Sequence, residues 1–167
     1  MAQAQKNSLT KARSIMIVAG EASGDEHAAV LVREIRAQAP ETNFFGMGGS
    51  VLRAEGVETV VDSEEEASVM GLSEVISSIG KILRAFKTLK NAALERNPDL
   101  IIFLDFPDFN MRLAKALHKR GFTTMYYIIP QVWAWRKWRV KTLRKYIDRL
   151  VAIFPFEEKF YKEHGAN

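Results

Sequence analysis

The sequence predicts a three-layer α/β fold built on a parallel β-sheet, and three observations carry that expectation. Short apolar runs recur and end abruptly in turn residues, as Leu100–Leu104 does before Asp105-Phe106-Pro107-Asp108; such runs suit strands buried on both faces of a sheet. Between them lie stretches with apolar residues at helical spacing, and a strand-helix-strand alternation winds right-handed into a parallel sheet covered on both sides. At 167 residues the chain can bury one sizeable core but not two of similar size.

Taken in order, Ser14 to Val18 is expected as a first strand. Asp25 to Gln38 follows as a helix, with Ala28, Leu31, Val32 and Ile35 on one face. Asn43 to Gly46, β-rich and closed by glycine, reads as the second strand, with a short helix near Ser50 to Glu55 and a third strand near Val57 to Val61. A long helical stretch runs from about Leu72 to Arg96. Leu100–Leu104, a helix over 109–120 and a strand over 123–128 come next. A basic helix near 138–147, a strand near Arg149 to Ile153 and a helix from Phe156 to Glu163 complete the pattern.

The 24 Lys+Arg against 20 Asp+Glu leave a formal charge of +4, too mild to support nucleic-acid binding. Zero cysteines exclude disulfides and thiolate zinc sites and fit a reducing compartment, so a cytoplasmic location is expected. Residues 1–13 read as a flexible polar tail, and Ile15 to Ala19 meets Glu21 too soon to be a signal-peptide core. Nowhere do about eighteen apolar residues follow one another, so membrane contact is expected to be peripheral.

Gly20-Glu21-Ala22-Ser23-Gly24-Asp25 falls at the first strand-to-helix turn. A phosphate cradle is one reading. The other is a capping box in which Ser23 caps the helix, Glu26 reaches back and Asp25 favours the helix dipole. Glu21 and Asp25 would repel phosphate, the spacing is not Gly-x-Gly-x-x-Gly, and no acid ends the second strand for a ribose, all of which weigh against a dinucleotide. Glu21 is left over, unneeded by the cap and facing the cleft. Gly46-Met47-Gly48-Gly49 permits close approach of a ligand or simply a tight turn.

Asp105 falls at the carboxyl edge of an expected central strand, where ligands of open α/β sheets bind. It is either a base for a hydroxyl nucleophile or a turn-stabilising aspartate. Pro107 should hold Phe106 extended, and Asp108 should cap the following helix through the amides of Asn110 or Met111. At the same edge, Tyr126 to Trp135 runs from a strand into an aromatic loop that either walls an apolar or sugar-binding cleft, with Gln131 and the indole N–H groups of residues such as Trp133 hydrogen-bonding, or packs with its indoles as core. Arg136 to Lys145 is a basic helix, a solvated face or a lipid contact. Leu72, Val75, Ile76 and Ile79 continue into Leu83 and Phe86 at helical spacing, which favours core packing, whereas Val69 and Met70 exceed what that stripe needs and hint at an exposed patch. His27, His118 and His164 lack metal-ligand spacing.

Together, Gly20–Asp25, Gly46–Gly49, Val69–Leu72, Asp105–Asn110 and Pro130–Trp135 resemble the lipid-A-disaccharide synthase family in order and spacing, from about Ser14 to the end. The resemblance implies a Rossmann-like domain over 14–167 that forms the N-terminal, acceptor-side half of an inverting GT-B glycosyltransferase. A C-terminal donor-nucleotide domain would lie outside these residues, so the 167 residues alone are expected to be inactive. It implies UDP-2,3-diacylglucosamine as donor and 2,3-diacylglucosamine 1-phosphate as acceptor in lipid A and hence lipopolysaccharide biosynthesis, with no metal or redox cofactor. Asp105 matches the general base. Glu21, Ser23, Gly24, Gly48, Gly49, Asp108, Asn110, Gln131 and Trp133 are the acceptor-binding residues it implies, and Val69, Met70, Leu72, Val75, Ile76 and Ile79 the contact with the cytoplasmic face of the inner membrane. It leaves a homo-oligomer open. Ile129, just before Pro130, departs from the family, which usually has serine there. The alternative is a non-catalytic, peripheral lipid-binding α/β module.

Overall fold

A computed structural model describes residues 13–64, 75–130 and 139–165. Six strands, β1 (Ser14–Ala19), β2 (Asn43–Gly48), β3 (Glu58–Asp62), β4 (Leu100–Leu104), β5 (Thr124–Tyr127) and β6 (Arg149–Val151), pair in parallel in the order β3-β2-β1-β4-β5-β6. Helices α1 (Ala22–Gln38), α2 (Ser50–Ala54), α3 (Val75–Arg96), α4 (Pro107–His118), α5 (Arg139–Tyr146) and α6 (Pro155–Glu163) connect them. Among the described residues no helix is long and apolar enough to cross a membrane.

The three layers follow from the period-two alternation of the central strands. Met16 and Val18 of β1, with Ile101 and Phe103 of β4, join a core that includes residues of α3, α4, α5 and α6. Ile15, Ile17 and Ala19, with Ile102 and Leu104, join the opposite core against α1 and α2. Each central strand therefore buries both faces, which is why its sequence is an unbroken apolar run.

Most expected elements are present with shifted ends. β2 runs to Gly48 rather than Gly46, because Gly46 adopts φ +147 inside a register shift against β3 and the strand resumes beyond it. A Cβ there would lie 1.8 Å from the Ile17 carbonyl oxygen. α4 starts at Pro107 rather than 109, since proline is compatible with the first helical position.

The long helix departs from the expected packing. It buries Ala85, Leu89, Ala92 and Ala93, and leaves Ile79 54% and Leu83 64% exposed. The buried face is alanine around Leu89, and Phe86 of the expected stripe packs partly buried against the same core, whereas the stripe's aliphatic members Ile79 and Leu83 are turned outward. Of the membrane-contact residues, Ile79 is thus exposed, while Val69, Met70 and Leu72 and the side chains of Val75 and Ile76 lie outside the described residues.

Candidate functional site

The strand order reverses between β1 and β4, and the crevice beyond their carboxyl ends is the ligand site expected of open α/β sheets. The β1–α1 turn contributes Gly20 and Glu21 to this edge, the first turn of α1 contributes Ser23 and Gly24, and the β4–α4 turn contributes Asp105 and Phe106.

Asp105 and Phe106 both adopt the left-handed conformation, with φ +47 and +43. For residues with a Cβ this costs about 1–2 kcal/mol each, so the surroundings must enforce it. The expectation that Pro107 holds Phe106 extended is therefore overturned, and tertiary contacts are the reason. The Phe106 ring stacks on Phe109 at 5.1 Å and covers Gly20, where a Cβ would lie 2.5 Å from it. The main-chain carbonyl of Asp105 accepts from the Tyr126 hydroxyl at 2.6 Å and from Asn110 Nδ2 at 2.7 Å. Asn110 Nδ2 also donates to the Leu104 carbonyl at 2.9 Å.

The carboxylate of Asp105, half-buried, is then turned towards α1. Its Oδ2 accepts from the Ser23 hydroxyl at 3.2 Å. A Cβ on Gly24 would sit 2.8 Å from the same oxygen, so glycine leaves the room the carboxylate uses. Ser23 is thus not the helix cap: α1 begins at Ala22, Glu21 holds the N-cap position without a side-chain cap, and the Ser23 hydroxyl serves Asp105 instead. Nor does Asp108 cap α4. Phe106 occupies that position, and Asp108 lies within the first turn, where its charge favours the helix dipole.

Asp25 has a different task from the dipole role expected of it. Only 3% exposed, it accepts from the Gly49 amide at 2.6 Å and the Val51 amide at 3.0 Å, so a carboxylate of α1 caps α2. A Cβ at Gly48 would lie 2.9 Å from Asp25 Oδ1, and one at Gly49 would lie 2.8 Å from Asp25 Oδ2. The glycine turn therefore admits a protein carboxylate.

Tyr126 was missed by sequence reasoning. It pairs in register with Phe103, and its ring is fully buried, which leaves the hydroxyl in need of an internal acceptor. Burial, together with the negative charges of Asp105 and Glu21, raises the phenol well above its ordinary value of 10.0, although the neighbouring Asn110 amide acts the other way. Nothing local in the sequence links it to a carbonyl 21 residues away.

Glu21 is exposed at the turn, and Asn110 is fully buried beneath Asp105. Beside them, Ile82, Leu83, Phe86, Phe106 and Phe109 line an apolar groove of about 330 Å³ rimmed by Asp108 and Arg112. At the end of β5, Ile129 is buried, and the Pro130 carbonyl accepts from the Tyr161 hydroxyl at 2.9 Å. Gln131 and Trp133 lie outside the described residues. The scattered histidines do not converge: His27 is exposed, His118 Nδ1 sits 3.5 Å from Asp148, and His164 Nδ1 lies 2.7 Å from the Phe160 carbonyl.

The family model for lipid-A-disaccharide synthetase matches residues 15–167. A lipid-A-disaccharide synthase of Myxococcus xanthus is 51% identical over 159 residues, covering 95% of this chain and 41% of that protein. Its counterpart in Geobacter sulfurreducens is 54% identical over 152 residues, covering 91% of this chain and 39% of that protein. The chain thus spans about two fifths of the length of these curated relatives. Among solved structures, a protein described as a UDP-N-acetylglucosamine 2-epimerase from Listeria monocytogenes superposes with a TM-score of 0.65 at 10% identity, over 95% of this chain and 43% of that one. The glycotransferase of kitacinnamycin superposes at 0.50 with 16% identity, over 81% of this chain and 36% of that one. At such identities these two likenesses concern the fold alone.

Proposed function

Because the chain belongs to the lipid-A-disaccharide synthetase family, we propose that it forms the acceptor side of a glycosyl transfer in which Asp105 is the general base. The reaction is assigned to a polypeptide of the relatives' full length. In it, a hydroxyl of 2,3-diacylglucosamine 1-phosphate attacks the anomeric carbon of UDP-2,3-diacylglucosamine. The new C–O bond forms as the bond to UDP breaks, the configuration inverts, the hydroxyl proton passes to Asp105, and UDP leaves with the bonding electrons.

The observation that carries this reading is the Ser23 hydroxyl on Asp105 Oδ2 at 3.2 Å. A carboxylate that already accepts from a hydroxyl at the switch-point crevice has the reach a base needs. The acceptor hydroxyl takes over that position, with Gly24 keeping the space beside it and Glu21 at the rim. Asn110 acts from beneath, through the carbonyl of Asp105, rather than on the sugar. Gly48 and Gly49 shape the neighbouring turn around Asp25. Gln131 and Trp133 are proposed, on the family resemblance alone, to contact the acceptor.

The acyl chains are assigned to the apolar groove beside Phe106, where Arg112 at the rim suits a phosphorylated amphiphile. Ile79, Ile82 and Leu83 are each more than two fifths exposed on the same helix. With Val69, Met70, Leu72, Val75 and Ile76 they make up the surface proposed to rest peripherally on the cytoplasmic face of the inner membrane. The transfer as proposed needs no metal or redox cofactor.

The test supplies the full-length polypeptide with both lipid substrates. Formation of disaccharide with inverted linkage and stoichiometric UDP is expected. Acceptor binding without UDP release would overturn the proposal in favour of a lipid-binding module.

A further inference from the structure

Resting on the reading of Asp105 as the base, we propose that Tyr126 and Asn110 are positioning residues for it: together they clamp its main-chain carbonyl and hold the residue left-handed, so that the carboxylate faces the crevice. Neither side chain need touch the substrate for this, and both are fully buried.

Three features of the geometry carry the inference. The first is the conformation itself. Asp105 at φ +47 and Phe106 at φ +43 stand in succession where an L-residue would ordinarily take an extended or right-handed conformation. Such a pair persists only where its neighbours over-determine it, and conformations of this kind cluster at functional sites.

The second is where the clamp acts. The Tyr126 hydroxyl and Asn110 Nδ2 converge on the carbonyl oxygen of Asp105 at 2.6 and 2.7 Å. That oxygen follows the last residue of β4, just beyond its ladder. Asn110 holds the preceding carbonyl, of Leu104, at 2.9 Å with the same nitrogen, so the two peptide units are fixed relative to one another. Fixing them fixes the direction in which the Asp105 side chain leaves the backbone.

The third is the rigidity of the clamp. Tyr126 stands in register with Phe103 inside the sheet, and Asn110 follows Phe109, whose ring is stacked on Phe106. Two secondary-structure elements, β5 and α4, therefore anchor one carbonyl. Burial keeps the Tyr126 phenol protonated, and hence a donor, through the working pH range. A purely architectural tyrosine in this sheet would need only its ring; a hydroxyl aimed at Asp105 is the excess that the inference explains.

The experiment is a double-mutant comparison in the full-length polypeptide, with steady-state kinetics on both lipid substrates. Tyr126→Phe keeps the ring and removes only the hydroxyl. It is expected to lower kcat about 10- to 100-fold while KM for either substrate stays within about twofold, because misplacing a reacting group by about 1 Å costs rate on that scale. In an Asp105→Asn background the same change is expected to cause no further loss, since a residue acting through the base has nothing left to position. Asn110→Ser gives the same pattern and is the independent arm if Tyr126→Phe does not fold. Undiminished kcat in Tyr126→Phe or Asn110→Ser, with Asp105→Asn inactive, would overturn the inference and leave the base assignment standing. A loss that multiplies unchanged in the Asp105→Asn background would overturn it too, since the residue would then be acting elsewhere. Normal turnover by Asp105→Asn alone would remove the base and the clamp's purpose with it.

Discussion

Replacing Gly24 with alanine places one methyl against the carboxylate of Asp105 and almost nowhere else. The added Cβ would lie 2.8 Å from Asp105 Oδ2, but 3.4 and 3.5 Å from Asp105 Cβ and Cγ, which are ordinary contacts. Only the oxygen must move, by about 0.6 Å to reach the 3.4 Å at which a contact becomes ordinary. With the Asp105 carbonyl held by Tyr126 and Asn110, the backbone cannot follow, so the carboxylate rotates away from the Ser23 hydroxyl. Gly24 lies within α1, where alanine is favoured over glycine by about 0.8–1.0 kcal/mol. The helix gain and the steric contact therefore oppose one another, and stability changes by no more than about 1 kcal/mol. A displacement of that size should lower kcat about tenfold. Urea denaturation and UDP release at saturating substrates, run on the same full-length preparation, separate the two effects. Full kcat at unchanged stability would refute the claim that this oxygen's position matters; a rate loss that only tracks unfolding would refute the geometric argument.

Other perturbations follow from the same geometry. Gly46→Ala would put a Cβ 1.8 Å from the Ile17 carbonyl oxygen at φ +147, so it should destabilise by more than about 4 kcal/mol and yield no cooperative thermal transition. Asp25→Ala leaves the buried amide of Gly49 and that of Val51 without their acceptor and should cost about 2–4 kcal/mol in denaturant melts. Tyr126 has a folded-state pKa raised above its unfolded value of 10.0, chiefly by burial, so its contribution is fully present below pH 10 and is lost as pH rises beyond it. While only the unfolded tyrosine ionises, stability should fall by about 1.4 kcal/mol per pH unit on its account, and Tyr126→Phe should flatten that alkaline limb.

The fold was legible because its signals are local. The run Leu100–Leu104 is apolar on both faces and ends at Asp105, and that alone puts a carboxylate at the sheet edge. What such signals do not carry is the partner across the fold. Ser23 bonds a residue 82 positions away, and Asp25 bonds amides 24 and 26 positions on, so the local capping rules assigned both to the helix they begin. Phe106 defied the preference of a pre-proline residue because stacking on Phe109 and the clamped carbonyl before it outweigh that preference. The long helix misled in another way. Its helical spacing predicts a buried stripe through Ile79 and Leu83, whereas the face that joins the core carries Ala85, Leu89, Ala92 and Ala93 with Phe86 packed beside them.

In the proposed transfer, Asp105 takes the proton of the acceptor hydroxyl. The direct measurement is the single-turnover rate of disaccharide formation by full-length Asp105→Asn, with enzyme in excess of both substrates and acceptor binding measured separately. Asparagine preserves the shape and accepts from Ser23 but has no basicity to offer. With Asp105 as the base, the rate is expected to fall by about 10²- to 10⁴-fold with acceptor binding retained. A single-turnover rate equal to that of the unaltered enzyme would contradict it.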